Sequence, residues 1–219
     1  MLASLKELKK RIQRITANEF LKIIVRRLFP LILYKRYYLY KDENLINYPL
    51  KPKLEQTQFI HFTKYSKFKY YQKENNLIVS EFDDDLIRKM FDVNALAFCA
   101  IIDSHLAHLT WVALSDEAKE KIEPWPMFID WNIEACWGLA QTSNAFKRMG
   151  LYSCVHAQIG MYLKKKGIQN NKFTVKKSNL PSNEAMSYFK PTIFADGYYF
   201  KIIFWSFRFT NIRTSEIKL

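Results

Sequence analysis

The chain has 219 residues, 49% of them hydrophobic and 16% aromatic, with only five glycines and seven prolines. That content suffices for one domain with its own core and excludes a disordered, collagen-like or low-complexity chain. The formal charge of +13 is concentrated at one end: Met1 to Lys41 holds eleven lysines and arginines against Glu7 and Glu19, a net +9, which leaves +4 for the rest.

From the start of the chain, Leu2, Leu5, Leu8, Ile12 and Ile15 recur at spacings of three and four and predict an amphipathic helix. A second helical stretch begins at Asn18, a suitable N-cap, and ends near Pro30, with Lys22, Arg26 and Arg27 on its flanks. Two readings fit this arm. It lies on an anionic membrane face, or it packs on the domain with its cations solvated. Charges interrupt the apolar runs too often for a secretory signal, and the run from Leu28 to Leu33 is too short for a bilayer span. The expected location is therefore cytoplasmic, peripheral to the inner membrane face if the arm binds lipid. Tyr34 to Tyr40 reads as a strand with a polar edge. No RNP, KH or helix-turn-helix pattern accompanies its aromatics, so nucleic acid is not an expected partner. Lys51-Pro52-Lys53 marks the expected boundary, giving a basic amphipathic extension over 1–50 and the main domain over 51–219.

In the body, Gln58 to Thr63 alternates as a strand, and the Tyr/Lys-rich stretch from Lys64 to Lys73 is helix or loop. Asp83 to Phe91 predicts a short helix, with acids in its first turn and Arg88-Lys89 in its last. Ala95 to Ile102 and Leu106 to Leu114 form a hairpin pattern around Asp103-Ser104-His105. Ser115 to Pro126 reads as a charged insertion, and Met127 to Thr142 contains a buried strand. Two further strands are expected between Thr192 and Thr210, turning at Asp196-Gly197. Cys99, Cys136 and Cys154 sit in apolar runs without CxxC spacing, which predicts buried thiols rather than a zinc site.

The most informative segment is Phe146 to Lys190. A basic loop with one glycine, Lys147-Arg148-Met149-Gly150, opens into a helix from Leu151 to Lys166. A strand from Lys172 to Lys177 follows, then Asn179 and a Pro-Ser helix start. That order places free backbone N–H groups and two cations where an anion binds at a helix N-terminus.

This order resembles the acyl-CoA-binding half of the GNAT superfamily of N-acetyltransferases, whose loop is patterned Gln/Arg-x-x-Gly-x-Gly/Ala. Gly150 aligns with the first glycine and Lys147 with the cation; Tyr152 falls where the second glycine stands. The resemblance covers roughly Ala95 to Phe209 and implies an α/β GNAT fold, a mixed central sheet flanked by helices, carrying the basic helical extension in front. It further implies acetyl-CoA or another acyl-CoA as co-substrate, without a metal. Gln141, Thr142, Lys147, Arg148, Met149, Gly150, Leu151, Tyr152 and Asn179 would hold it. The acyl group would pass to an amine of a small molecule or cell-envelope intermediate. The family's general-acid tyrosine stands seven residues after the asparagine. Here that place is Met186, so the role passes to Tyr188, and Glu134 is the candidate base. The departures keep a non-catalytic GNAT-like module, or a membrane-surface interaction protein, as the alternative. A weaker echo, Trp111 to Ser115 with Phe128 to Trp131, resembles toxin-activating lysine acyltransferases. In it Asp130 would assist a catalytic histidine, for which His61 is the nearest candidate. No HExxH, G-x-S-x-G, Walker or GxGxxG pattern supports other chemistry.

Overall fold

The computed structural model of the protein describes residues 32–43, 45, 49–202 and 205–218, so the two helices expected before Pro30 lie outside the described residues. The elements in chain order are β1 (Ile32–Asp42), β2 (Gln58–Phe62), α1 (Tyr65–Glu74), α2 (Asp84–Asp92), β3 (Leu96–Ile102), β4 (His105–Ala113) and α3 (Asp116–Ile122). They continue with β5 (Glu134–Thr142), α4 (Leu151–Lys165), β6 (Asn170–Lys176), α5 (Leu180–Ser187), β7 (Thr192–Ile202) and β8 (Trp205–Lys218). The strands form one mixed sheet in the order β2-β3-β4-β5-β6-β1-β7-β8. By contacts the chain divides into two compact units, Met1–Lys35 with Tyr198–Arg208, and Arg36–Gly197 with Phe209–Leu219.

In the larger unit the hairpin β3–β4 is buried on both faces, which is why its sequence is almost continuously apolar. Ala97, Cys99 and Ile101 share a core with Phe68 of α1, Ile87 and Met90 of α2 and Ile122 of α3. Phe98, Ala100 and Ile102 belong to a second core with Val155, Ile159 and Leu163 of α4. The three cysteines are buried and free, as their apolar neighbours predict. The hairpin turn lacks glycine, and Asp103 (φ +47°) and Ser104 (φ +59°) adopt its two left-handed positions.

Helix starts follow their capping residues. The Asp83 carboxylate accepts from Leu86 N at 3.1 Å, and Asn179 Oδ1 accepts from Ser182 N at 3.4 Å. Ser115 Oγ accepts from Ala118 N at 3.4 Å and starts α3 inside the predicted insertion. α3 buries Ala118 and Ile122 together with Lys119, whose ammonium donates to the Trp125 carbonyl.

β1, which precedes the expected boundary at residue 50, pairs antiparallel with β6 from Tyr37↔Lys176 to Asp42↔Asn171 and forms an interior strand. The strand reading of Tyr34 to Tyr40 holds, and its last two residues enter the core: Leu39 and Tyr40 are fully buried. One expectation is corrected: Asp196-Gly197 runs through the middle of β7 without turning. The Asp196 carboxylate accepts from Arg213 at 3.0 and 3.1 Å and pairs with Lys177. A Cβ at Gly197 would stand 2.8 Å from both Leu39 and Trp125, so this glycine serves close packing.

Candidate active site

Parallel pairing between β5 and β6 lasts three residues, from Glu134↔Asn170 to Cys136↔Lys172. Beyond it β5 stays on β4 and β6 stays on β1, so the two strands separate with their facing backbone groups unpaired to each other. Leu139, at φ +49°, lies where the β4–β5 ladder shifts register, and this bulge bends β5 at the opening. A cleft of about 920 Å³ fills the gap, lined by Trp137 to Ala140 of β5, Thr174 to Lys176 of β6, and the starts of α4 and α5.

The cleft mouth is organised by Glu81. Its carboxylate accepts from Ser143 Oγ at 2.6 Å, from Asn144 N at 2.9 Å and from Asn144 Nδ2 at 2.8 Å. Those bonds, the Asn144 backbone N–H first, hold its pKa below the usual carboxylate value. They pin the short 3-10 turn Asn144–Phe146 that delivers the basic loop. In that loop Arg148 (φ +65°) and Gly150 (φ +76°) both take left-handed backbone, so the chain swings into α4 without a side-chain cap. The first helical bond runs from Cys154 N to Gly150 O at 3.1 Å. The N–H groups of Leu151, Tyr152 and Ser153 therefore have no partner within the helix. Lys147, Arg148 and Lys176 line the same cleft. Backbone donors, the positive end of a helix dipole and three cations together form an anion cradle.

The structure brings Thr142, Lys147, Arg148, Met149, Gly150, Leu151, Tyr152 and Asn179 together around this cleft. Tyr152 lies within the helix, where a side chain is tolerated in place of glycine. Gln141 is elsewhere, its amide donating to the Glu81 carbonyl at 2.8 Å. Neither candidate catalytic residue lines the cleft. Glu134 sits at the closed end of the β5–β6 pair, where Lys172 Nζ donates to it at 2.6 Å and Asp130 N at 3.0 Å. Tyr188, at the C-cap of α5, is 58% exposed. In the weaker echo, Asp130 caps its own turn through Asn132, and His61 stacks on Phe98 and Tyr162 away from the cleft lining.

Sequence reasoning missed three groups in the cleft. Glu123, just after α3, is buried, and its Oε2 lies 3.2 Å from where a Cβ on Gly138 would stand. Trp137 is buried, and its indole Nε1 has no hydrogen-bond partner in the structure. Its ring packs on Tyr152 at 5.6 Å and on His156 at 5.1 Å. His108, on β4, bonds Thr142 Oγ1 through Nδ1 and Thr110 Oγ1 through Nε2, each at 2.7 Å. Glu123 had no spacing signal, because it stands among the charges of an apparent insertion.

Burial lowers the His108 pKa to about 3, which keeps the ring neutral at physiological pH. In the unfolded chain this histidine takes a proton near pH 6.5, whereas the folded protein refuses it until near pH 3. Stability is thus unaffected by this group above pH 6.5 and declines below it, by at most about 1.4 kcal/mol per pH unit. Between pH 7 and pH 4.5, urea unfolding of the wild type should lose about 2 kcal/mol more than His108→Gln does. Equal losses in the two proteins would contradict a neutral, buried His108.

The sheet order, the splayed parallel pair and the glycine-led helix at its opening make this an α/β fold of the GNAT type, as the resemblance implied. No protein-family model and no curated protein sequence matches the chain. Among solved structures it is similar to a Drosophila protein, at 12% identity and a TM-score of 0.50, over 84% of this chain and 56% of that one. It is also similar to a GCN5-related N-acetyltransferase-like protein from Streptococcus suis, at 8% identity and a TM-score of 0.47, over 89% of this chain and 68% of that one. A GNAT-family acetyltransferase from Colwellia psychrerythraea matches at 10% identity and a TM-score of 0.43, over 71% of this chain and 52% of that one. The chain thus spans little more than half the length of the Drosophila and Colwellia proteins, and the likeness to the Drosophila protein is one of fold alone.

Proposed function

We propose that the protein is an acyl-CoA-dependent N-acyltransferase whose donor, acetyl-CoA in the simplest case, occupies the β5–β6 cleft. The observation that carries this reading is the uncapped N-terminus of α4 beside a strand pair opened by a bulge. The residues fit such a donor. A pyrophosphate suits the N–H groups of Leu151 to Ser153 and the cations Lys147, Arg148 and Lys176. An arm bearing amides suits the unpaired backbone edge of β5 beyond Cys136. The buried Trp137 Nε1 is a donor that lacks an acceptor, as expected of a group that meets a polar ligand atom. When bound, the donor supplies an acyl group activated as a thioester.

In this reading the acceptor amine adds to the thioester carbonyl carbon, a C–N bond forms and the C–S bond breaks. Glu123 takes the proton the amine loses, the work that the sequence assigned to Glu134. Solvent returns a proton to the leaving sulfur in place of Tyr188. Burial first, then the charges of Tyr40 and Glu123, push the Tyr152 hydroxyl pKa up, which keeps that ring neutral and makes it a poor proton source. Lys172 holds Glu134 as a structural pair. The acceptor is a small-molecule or cell-envelope amine.

The rival reading, a module that binds the donor without turning it over, draws on Tyr152 itself, whose ring fills space between Trp137 and His108. Incubation with acetyl-CoA and pools of amines separates the two. Amine-dependent release of free thiol supports the enzyme, and donor binding without thiol release supports the module.

A further inference from the structure

We propose that Lys53 is a positioning residue of the anion cradle: its ammonium fixes the Arg148–Met149 peptide so that the Met149 N–H faces the donor, a role that rests on the donor reading of the β5–β6 cleft. Lys51-Pro52-Lys53, the expected boundary in the sequence, lies between two packed leucines. Leu50 and Leu54 pack against the core shared with α4, and Pro52 fixes its own φ. The Leu54 carbonyl accepts from Thr57 N at 3.2 Å and from Thr57 Oγ1 at 2.7 Å, which ties down the far side. From this anchored segment Lys53 reaches the basic loop, where its Nζ donates to the Arg148 carbonyl at 3.2 Å.

Peptide geometry carries the contact into the site. Arg148 has φ +65°, a left-handed conformation that a residue with a Cβ adopts only when its surroundings hold it there. A trans peptide points its C=O and its N–H to opposite sides of the chain. The Arg148 carbonyl turns to Lys53, which does not line the cleft; the Met149 N–H is thereby turned toward the cleft that Met149 does line. Among the described residues that N–H has no hydrogen-bond partner. It joins the N–H groups of Leu151 to Ser153 as a donor, and the left-handed Arg148 and Gly150 curve the loop into a concave run of N–H groups suited to phosphate. The loop's other end is also held from outside, by the Glu81 carboxylate on Ser143 and Asn144. Without Lys53 the Arg148–Met149 peptide is free to turn its carbonyl dipole to the anion.

The test is calorimetry with coenzyme A and with inorganic pyrophosphate on the wild type, Lys53→Met and Lys53→Arg. Lys53→Met should weaken both ligands by about tenfold. Lys53 is exposed, so the melting temperature should stay within about 2 °C of the wild type. Lys53→Arg keeps a charged donor of similar reach and should restore most of the affinity. The loss should persist at about 0.5 M salt, where the field of an added cation is screened within a few ångströms. In amide NMR spectra the Met149 resonance of the wild type should shift with pyrophosphate, and Lys53→Met should lose that shift while Leu151 still responds. Wild-type affinity in Lys53→Met, or a loss that vanishes in salt, would overturn the positioning role and leave the donor site standing. Absence of coenzyme A binding by the wild type would overturn both.

Discussion

Gly150→Asp should weaken coenzyme A binding by about a thousandfold. Two effects combine. The position has φ +76°, where a Cβ is disfavoured by about 1 kcal/mol. The larger effect is electrostatic: a carboxylate about 5 Å from a pyrophosphate charge, at an effective dielectric near 20, is unfavourable by about 3 kcal/mol. Gly150→Ala separates them. Nothing lies within 4 Å of its added Cβ, so only the backbone effect remains, and affinity should fall by less than about tenfold. Calorimetry with both variants checks the pair of values. Equal, undiminished affinity in Gly150→Asp would remove the anion cradle from α4.

Glu123→Gln should lower turnover by about 10²- to 10⁴-fold, the scale of a lost general base, and leave donor affinity within about twofold. The substitution is nearly isosteric in a packed position beside Gly138 and Ile122, so the fold should survive it. The matching substitution at Glu134 removes a buried partner of Lys172 and belongs to stability. Glu134→Gln should therefore lower the melting temperature more than it lowers turnover of the folded protein. Wild-type turnover in Glu123→Gln would exclude that carboxylate from proton transfer.

Much of the geometry from Phe146 to Lys190 was legible in the sequence because it depends on local rules. A glycine after a basic loop, a periodic apolar helix and an Asn-Pro-Ser start each specify their own geometry, and the residues from Lys147 to Tyr152 and Asn179 line one cleft. The proposed catalytic side depends on distant contacts. Glu123 reaches Gly138 across the α3–β5 connection, and no spacing within either segment announces it. Tyr188 was chosen by its offset from Asn179, but the helix ends at Ser187 and leaves it at the surface. β1 was readable as a strand and not as a sheet interior, since its partners β6 and β7 lie more than a hundred residues away. Asp196-Gly197 shows the converse failure. A favourable turn dipeptide was overridden by the close packing of Leu39 and Trp125 and by the ion pairs of Asp196.

The most direct test of the central claim is a calorimetric titration of the wild-type protein with coenzyme A. The cradle and the opened strands predict saturable binding at one site per chain, with a Kd of about 1–100 μM, competed by acetyl-CoA and weakened by salt. Folded protein that shows no saturable heat at about 1 mM coenzyme A, where even an affinity of only −4 kcal/mol would register, would contradict the assignment of the β5–β6 cleft.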